Sequence, residues 1–157
     1  MRNNLQIRKA NLSDVDLIYK WTNDELVRKQ SFSSEEIPYE SHCEWFRKKI
    51  EDKNSLFFII GLDNIPVGVV RFDVNDEGST IGISIDKEFR GKGLGNGIIK
   101  IGVQSYFKEN EFPILASIKK TNGASIKSFE KAGFYYLKEE VINGVESVVY
   151  QLKNSHE

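Results

Sequence analysis

Arg90-Gly91-Lys92-Gly93-Leu94-Gly95 stands between an alternating apolar segment, Thr80 to Ile85, and a long apolar-periodic one, Leu94 to Phe107. The first has the period of a strand and the second that of a helix. Three glycines in six residues at a strand-to-helix junction let the backbone turn tightly and come close to a ligand. The N–H groups of such a turn form a nest for anions, with the positive end of the helix dipole behind them. Arg90 and Lys92 add positive charge. The stretch therefore predicts a phosphate-binding turn, the alternative being a plain flexible connection. Spacing excludes two common phosphate loops. A Walker loop needs four residues between its first glycine and Gly-Lys-Ser/Thr, and no such spacing occurs. The dinucleotide fingerprint G-x-G-x-x-G/A fails from each start, because its last position falls on Asn96, Ile98 or Lys100.

Outward from this turn, Leu5 to Ala10 alternates as a first strand. Ser13-x-x-Asp16 resembles a capping box and predicts a helix carrying Val15, Leu17, Ile18 and Trp21, interrupted at Asn23-Asp24. A short turn holds Leu26 and Val27, and Arg28 to Pro38 reads as a polar loop. Ser41-x-x-Glu44 predicts a second helix through about Ile50, with Trp45, Phe46 and Lys49 along it. Leu56 to Gly61 and Pro66 to Val74 read as strands around an Asp63-Asn64 turn, and Asn75 to Ser79 reads as the next turn. Phe112 to Ile118 reads as a strand and Asn122 to Ala132 as a helix. Phe134 to Val141 and Val145 to Leu152 form a hairpin across Asn143-Gly144. Periodicity alone gives an α/β chain, residues 1–157, as one domain with helices against a mixed sheet.

At 157 residues the chain is long enough for one sizeable core. A net charge of -1 exerts no global pull on nucleic acid or anionic membrane, so neither partner is expected. The single cysteine, Cys43, forms no internal disulfide and reads as a small packed residue. Polar residues interrupt the first apolar positions, which speaks against a signal peptide. The longest apolar run, Leu56 to Ile60, is strand length. A cytoplasmic location is expected. No His, Cys and Asp cluster has metal spacing, and no metal is expected.

R-x-x-G-x-G at Arg90–Gly95 resembles the acetyl-coenzyme A pyrophosphate loop of the GNAT acyltransferase superfamily. A second element of that family, N-x-x-(A/S) followed by K-x-G-F, is matched by Asn122 to Phe134 in the same order. The chain is on these residues identified as a member. The resemblance implies a mixed, mainly antiparallel sheet with helices on both faces. It implies transfer of an acetyl group from acetyl-coenzyme A to a primary amine by direct attack in a ternary complex. In the family, a splay in the strand before the loop exposes a backbone N–H to the acetyl oxygen, which assigns that part to Ile83, Ser84 and Ile85. The pyrophosphate is expected on main-chain groups of Gly91, Lys92, Gly93, Leu94 and Gly95, with Arg90 at the start. Lys92 neutralises a phosphate or is merely solvated. Gly82 marks a bulge or close approach, or only a gap in packing. Asn122 resembles the asparagine that contacts the pantetheine arm, and could equally cap its helix.

The general acid departs from the family pattern. Many relatives carry Tyr five residues before the Phe of the Gly-Phe pair, where this chain has Phe129. Ser125 matches the serine variant of the motif, whose hydroxyl could bond the leaving thiolate; Ser128 lies three residues on. Tyr135 and Tyr136 are further candidates that could equally be core or edge residues. The candidate bases are Asp73, Asp76, Glu77 and His42, the last because it titrates near neutrality. Against His42 stands a helix-start histidine facing water.

The N-terminal region W-x-N-D (Trp21 to Asp24), Arg28, Ser31-Phe32 and His42-x-x-Trp45-Phe46 resembles the branch that acetylates nucleotide-linked deoxyamino sugars. That resemblance makes Arg28, Phe32, His42 and Trp45 the acceptor site. Arg28 would grip a phosphate or carbonyl, and the aromatics would stack on a base or sugar. Trp21 and Phe46 also fit ordinary helix core. Two alternatives remain: a protein N-terminal acetyltransferase of ribosomal-protein type, and a non-catalytic acetyl-coenzyme A-binding module. A monomer and a homodimer are both compatible with an open sheet.

Overall fold

The computed structural model describes residues 4–76 and 78–154. β1 (Leu5–Lys9) leads through a 3-10 turn into α1 (Val15–Thr22), α2 (Glu25–Gln30) and α3 (Tyr39–Glu51). β2 (Ser55–Leu62), β3 (Ile65–Asn75) and β4 (Gly78–Ile85) follow as a meander. Then come α4 (Gly95–Phe107), β5 (Ile114–Lys119), α5 (Gly123–Lys131), β6 (Tyr135–Ile142) and β7 (Val145–Leu152). The strands form one mixed sheet in the order β1-β2-β3-β4-β5-β7-β6. Only β4 and β5 run parallel, as a helical crossover between them requires; the other neighbours are antiparallel. The mixed, mainly antiparallel sheet expected from the sequence is the one observed.

Both two-residue turns read from the sequence are present. Asp63-Asn64 has φ of 51° and 69°, and Asn143-Gly144 has 50° and 76°. Paired positive values are those of type I′ turns, whose twist suits a hairpin.

Helices cover both faces of the sheet. Phe57, Ile59 and Val69 face α1 and α3 and form one core with Ile18, Trp21 and Phe46. Phe58, Ile60, Val70, Phe72 and Ile81 pack on the opposite face against Ile98, Ile99, Val103 and Tyr106 of α4 and Phe129 of α5. This second core centres on Phe72, whose ring stacks on Tyr106 at 4.7 Å. The Tyr106 hydroxyl lies 2.6 Å from Ser79 Oγ and donates to the Phe112 carbonyl at 3.1 Å.

The helix starts differ from the sequence reading. The capping box is Asn11-x-x-Asp14, not Ser13-x-x-Asp16: Asn11 accepts from the Ser13 N–H and Asp14 from the Asn11 N–H, each at 2.9 Å. Asp14 is drawn to this register because Arg8 holds its carboxylate through two bonds of 2.8 Å. α3 begins at Tyr39 behind Pro38, a turn before the expected Ser41 box, and no side chain caps it. Residues 25–30 are a helix rather than a single turn, because Asp24 Oδ1 accepts from the Leu26 and Val27 N–H groups. Arg28 is therefore helical. The expected turn at 75–79 shrinks, since β3 runs to Asn75 and β4 resumes at Gly78.

Candidate active site

β4 and β5 pair only at Ser79↔Ile114 and Thr80↔Leu115. Beyond Thr80, β4 pairs with β3 alone, through Ile85. The parallel strands therefore part, and the edge of β4 over Ile83–Ile85 turns toward the gap. At the end of β4, Asp86 caps a short 3-10 turn, accepting from the Glu88 N–H at 2.9 Å.

The glycine turn follows. Gly91 and Gly93 have φ of 71° and 74°, left-handed values that cost other residues about 1–2 kcal/mol. Among the described residues, a Cβ on either would meet nothing beyond its chain neighbours within 4 Å. α4 then begins behind Leu94 with no side-chain cap and no acidic residue in its first turn. The first N–H groups of a helix have no intrahelical partner, and here no side chain supplies one. A glycine turn leading into an uncapped, acid-free helix start fits a pyrophosphate. Lys92 Nζ lies 5.5 Å from the centre of the Phe89 ring.

Arg90 is turned back from this turn. Its Nε donates to the Ile85 carbonyl at 3.1 Å and its Nη2 to Asp24 Oδ1 at 2.6 Å. Beside it, Trp21 Nε1 donates to buried Asp86 at 2.9 Å, and Lys20 Nζ stands 3.5 Å from the same carboxylate. These two carboxylates tie α1 and α2 to the end of β4.

α5 brings Asn122 and Ser125 to the other side of the gap. The Asn122 side chain accepts from the Ser125 N–H at 3.3 Å, so it does cap the helix. Ser128 touches the first turn of α4: a Cβ at Gly95 would stand 2.6 Å from its Oγ. Phe129 is buried edge-to-face against Phe134 at 5.0 Å, which explains an apolar ring in that position. Tyr135 and Tyr136 are exposed on β6, with β7 between them and β5, so neither reaches the gap.

Of the expected carboxylate bases among the described residues, neither Asp73 nor Asp76 stands beside Ile85. Asp73 accepts from Lys49 Nζ at 2.8 Å, and Asp76 lies at the opposite end of β4. Glu77 lies outside the described residues. His42 does not face water: it is buried, stacked on Phe46 and tilted against Tyr19 and Trp45. It sits one helical turn before Phe46 on the stripe that α3 turns to the sheet. Its Nε2 meets the Val15 carbonyl at 3.1 Å. Burial pushes it below the usual imidazole value, against the Val15 carbonyl and Asp16, which favour the cation.

Arg28 serves the 31–37 segment. Its guanidinium donates to the carbonyls of Thr22 (2.8 Å), Ser33 (2.9 Å) and Glu35 (3.3 Å) and to Ser31 Oγ (3.1 Å). The Phe32 carbonyl accepts from Asn143 at 3.4 Å, which ties this segment to the β6–β7 turn. Outside it, a surface depression is lined by Asn23, Glu25, Arg28, Lys29, Ser34 and Glu36.

One charged residue on this side was not singled out from the sequence. Arg71 of β3 lies opposite Gly82 of β4. A Cβ at Gly82 would stand 3.0 Å from its Nε and 3.4 Å from its Cγ. Gly82 thus marks a close approach, not a bulge, since β4 keeps its register with β3 throughout. The Arg71 guanidinium carbon sits 5.3 Å from the centre of the Trp45 ring, a contact worth about 0.5–2 kcal/mol. Among the described residues it has no hydrogen bond or ion pair. The signal was a charge inside the apolar run Val67–Val74, aligned by alternation with Val69 and Asp73. Burial lowers Arg71 below the ordinary arginine value, while Asp73 works the other way; burial and then the Arg71 charge lower Arg28.

The acidic side chains that anchor this architecture set its response to pH. The Arg8 bonds hold Asp14 below the usual carboxylate value. Burial works to raise Asp24 and Asp86, but Arg90 and two N–H groups outweigh it for Asp24, as Trp21, the Glu88 N–H and Lys20 do for Asp86. Each binds its proton less tightly in the fold than in the unfolded chain, where the value is about 3.9. Their stabilisation is complete above about pH 5 and is lost as pH falls through the lower folded values. A thermal melt series should therefore fall steeply below about pH 4. An Asp86→Asn variant should lose less between pH 5 and 3; an identical slope would refute its part.

The model of the Acetyltransferase (GNAT) domain matches residues 4–135. Acetyltransferase PseH of Campylobacter jejuni is 25% identical over 135 residues, covering 84% of this chain and 83% of that protein. The spermidine N-acetyltransferase of Vibrio cholerae, solved with CoA and spermine, superposes with a TM-score of 0.86 at 20% identity, covering 96% of each chain. The aminoglycoside acetyltransferase AAC(6')-Ib with coenzyme A gives 0.82 at 18% identity, covering 96% of this chain and 95% of that one. The last two show the fold. Among the described residues, no helix is long and apolar enough to cross a membrane.

Proposed function

The chain belongs to the GNAT acetyltransferase domain family and is an acetyl-coenzyme A-dependent N-acetyltransferase, and on that premise we propose that its acceptor is the amino group of a nucleotide-linked deoxyamino sugar. What supports this reading is the aromatic and basic character of the α2–α3 side: Arg28 of α2 holds the 31–37 segment that carries Phe32, and Trp45 of α3 lies against the Arg71 guanidinium, whose charge acts on Arg28. Their pattern resembles the amino-sugar branch, and the likeness to PseH across most of both chains supports it.

In this reading the pyrophosphate of the coenzyme rests on the N–H groups of Gly91 to Gly95. The acetyl oxygen lies against the main chain of Ile83 to Ile85, where a fixed donor stabilises the charge that develops on it. The acceptor enters from the face walled by α2 and α3, because α4 and α5 cover the other. Its neutral nitrogen forms the bond to the acetyl carbon as the carbon–sulfur bond breaks. One proton leaves the nitrogen and one is taken up by the thiolate. Ser125 is the hydroxyl assigned to the thiolate, since Phe129 has no proton to give.

Thiol release from acetyl-coenzyme A against a panel of amines tests the reading. Nucleotide-linked 4-amino sugars are expected to be the best acceptors. Release with basic peptides alone would move the assignment to protein N-acetylation. Coenzyme binding without release on any amine would indicate a binding module.

A further inference from the structure

Arg71 presents a guanidinium with none of its donors engaged among the described residues, at the edge of the β4–β5 gap. Two features of the sequence serve this placement. Gly82 leaves room for the side chain to lean across β4, where any Cβ would stand 3.0 Å from Nε. Trp45 lies against the guanidinium carbon at 5.3 Å. Stacking on an aromatic face leaves the edge of a guanidinium free to grip a pair of anionic oxygens. The nearest strand carboxylate does not supply them, because Asp73 is taken by Lys49. Glu25 and Glu36 line the outer depression with Arg28 and Lys29 and form no bond to Arg71. Arg71 is partly buried; a charge withdrawn from water is ordinarily paired, and a positive neighbour such as Arg28 makes the unpaired state costlier.

The coenzyme does not answer to this group. Ile81, Ile83 and Ile85 pack toward α4, so Gly82 and the Arg71 side chain above it lie on the opposite face of β4. Gly82 is also three residues before Ile85, roughly 10 Å along the strand. The glycine turn lies beyond Ile85. The amine reacts near Ile83 to Ile85, so the span from amine to Arg71 is that of one sugar ring with its substituents.

We propose that the acceptor carries a phosphate or carboxylate close to its reacting amine, and that the edge of the Arg71 guanidinium binds it as a two-pronged fork. This rests on the acetyl-transfer reading above and deepens it, assigning anion recognition to Arg71 where the sequence pointed to Arg28. Arg28, its donors spent on the 31–37 segment, adds positive potential. The same pair of charges works against polyamines and aminoglycosides, whatever fold is shared with the enzymes that take them.

Steady-state kinetics of the wild-type chain, R71Q and R71K test this, on a nucleotide-linked amino sugar, an amino-sugar phosphate, an uncharged amino sugar and spermidine. In R71Q, the KM for the anionic acceptors is expected to rise roughly 10- to 100-fold, with the KM for acetyl-coenzyme A and the rate on the uncharged amino sugar unchanged. R71K keeps the charge and loses the fork, and an intermediate KM is expected. If R71Q fails to fold, R71K carries the test alone, and an unchanged KM in it overturns the proposal. Acetylation of the nucleotide sugar with no change in KM in either variant would overturn the Arg71 assignment and leave the proposed function standing. A preference for amino-sugar phosphates over nucleotide sugars, lost in R71Q, would support Arg71 and overturn the proposed function. A wild-type preference for spermidine would overturn both. Binding of uridine diphosphate under saturating acetyl-coenzyme A, when the glycine turn is filled, is expected in wild type and weakened in R71Q; equal binding counts against Arg71.

Discussion

A Gly93→Asp enzyme is expected to show a KM for acetyl-coenzyme A about a hundredfold above wild type, while melting within a few degrees of it. Two effects on the folded chain nearly cancel. The φ of 74° costs an aspartate about 1–2 kcal/mol. A carboxylate at the uncapped start of α4 gains about 0.3–1 kcal/mol from the helix dipole. No steric term enters from the described residues, because the new Cβ meets none of them beyond its chain neighbours within 4 Å. The effect on an incoming pyrophosphate has no such compensation. Two like charges near 4 Å repel by about 4 kcal/mol at a surface-like dielectric, and salt reduces that toward about 2.7 kcal/mol, a hundredfold. Gly93→Ala separates strain from charge and should raise KM far less. An unchanged KM in the aspartate variant would remove the glycine turn from coenzyme binding.

Phe72→Ala carries the largest expected loss of stability, about 3–5 kcal/mol. For a chain of this length that corresponds to a fall in Tm of roughly 10–15 °C. Phe72 is fully buried, stacked on Tyr106 and edge-on to Phe58. The upper part of the range is expected because the cavity cannot collapse. Tyr106, the neighbour best placed to fill it, is pinned by its hydroxyl to Ser79 and Phe112. Calorimetry checks the number, and a loss below about 1.5 kcal/mol would show that the core relaxes. Tyr106→Phe in the Phe72→Ala background releases the pin and should change the combined loss non-additively.

The parts of the fold legible in the sequence are those that local chemistry alone decides. Asp63-Asn64 and Asn143-Gly144 need positive φ, which few residue pairs accept, so their turns could be read directly. The β4–turn–α4 unit was legible for the same reason. Helix starts were less so, because S-x-x-D and N-x-x-D registers overlap within Asn11–Asp16, and a residue outside both motifs, Arg8 of β1, chooses between them. α2 escaped the pattern because it has no buried residue and depends on the Asp24 cap. The acceptor side was the least legible part. Arg28 and Arg71 are both arginines in plausible places, yet one is consumed by carbonyls five to seven residues away and the other is left open by a glycine on the next strand. Whether His42 was a site residue or a water-facing histidine could not be decided from the sequence, since one histidine in a polar helix says nothing of Val15, whose carbonyl meets it from α1. Such distinctions depend on contacts between elements, which no local period encodes.

The two residue pairs that join β4 to β5 also bear on how the chain comes apart. Strands β1 to β4 pair neighbour to neighbour, as do β5, β7 and β6, and among the described residues that join is the only backbone ladder between the two sets. Such a boundary divides a molecule into cooperative units that open separately, and amide hydrogens of the two ladders should exchange at distinct rates. In the placement proposed above, a coenzyme between Ile83–Ile85 and α5 would staple the units together, so its binding should merge the two exchange classes as well as slow them.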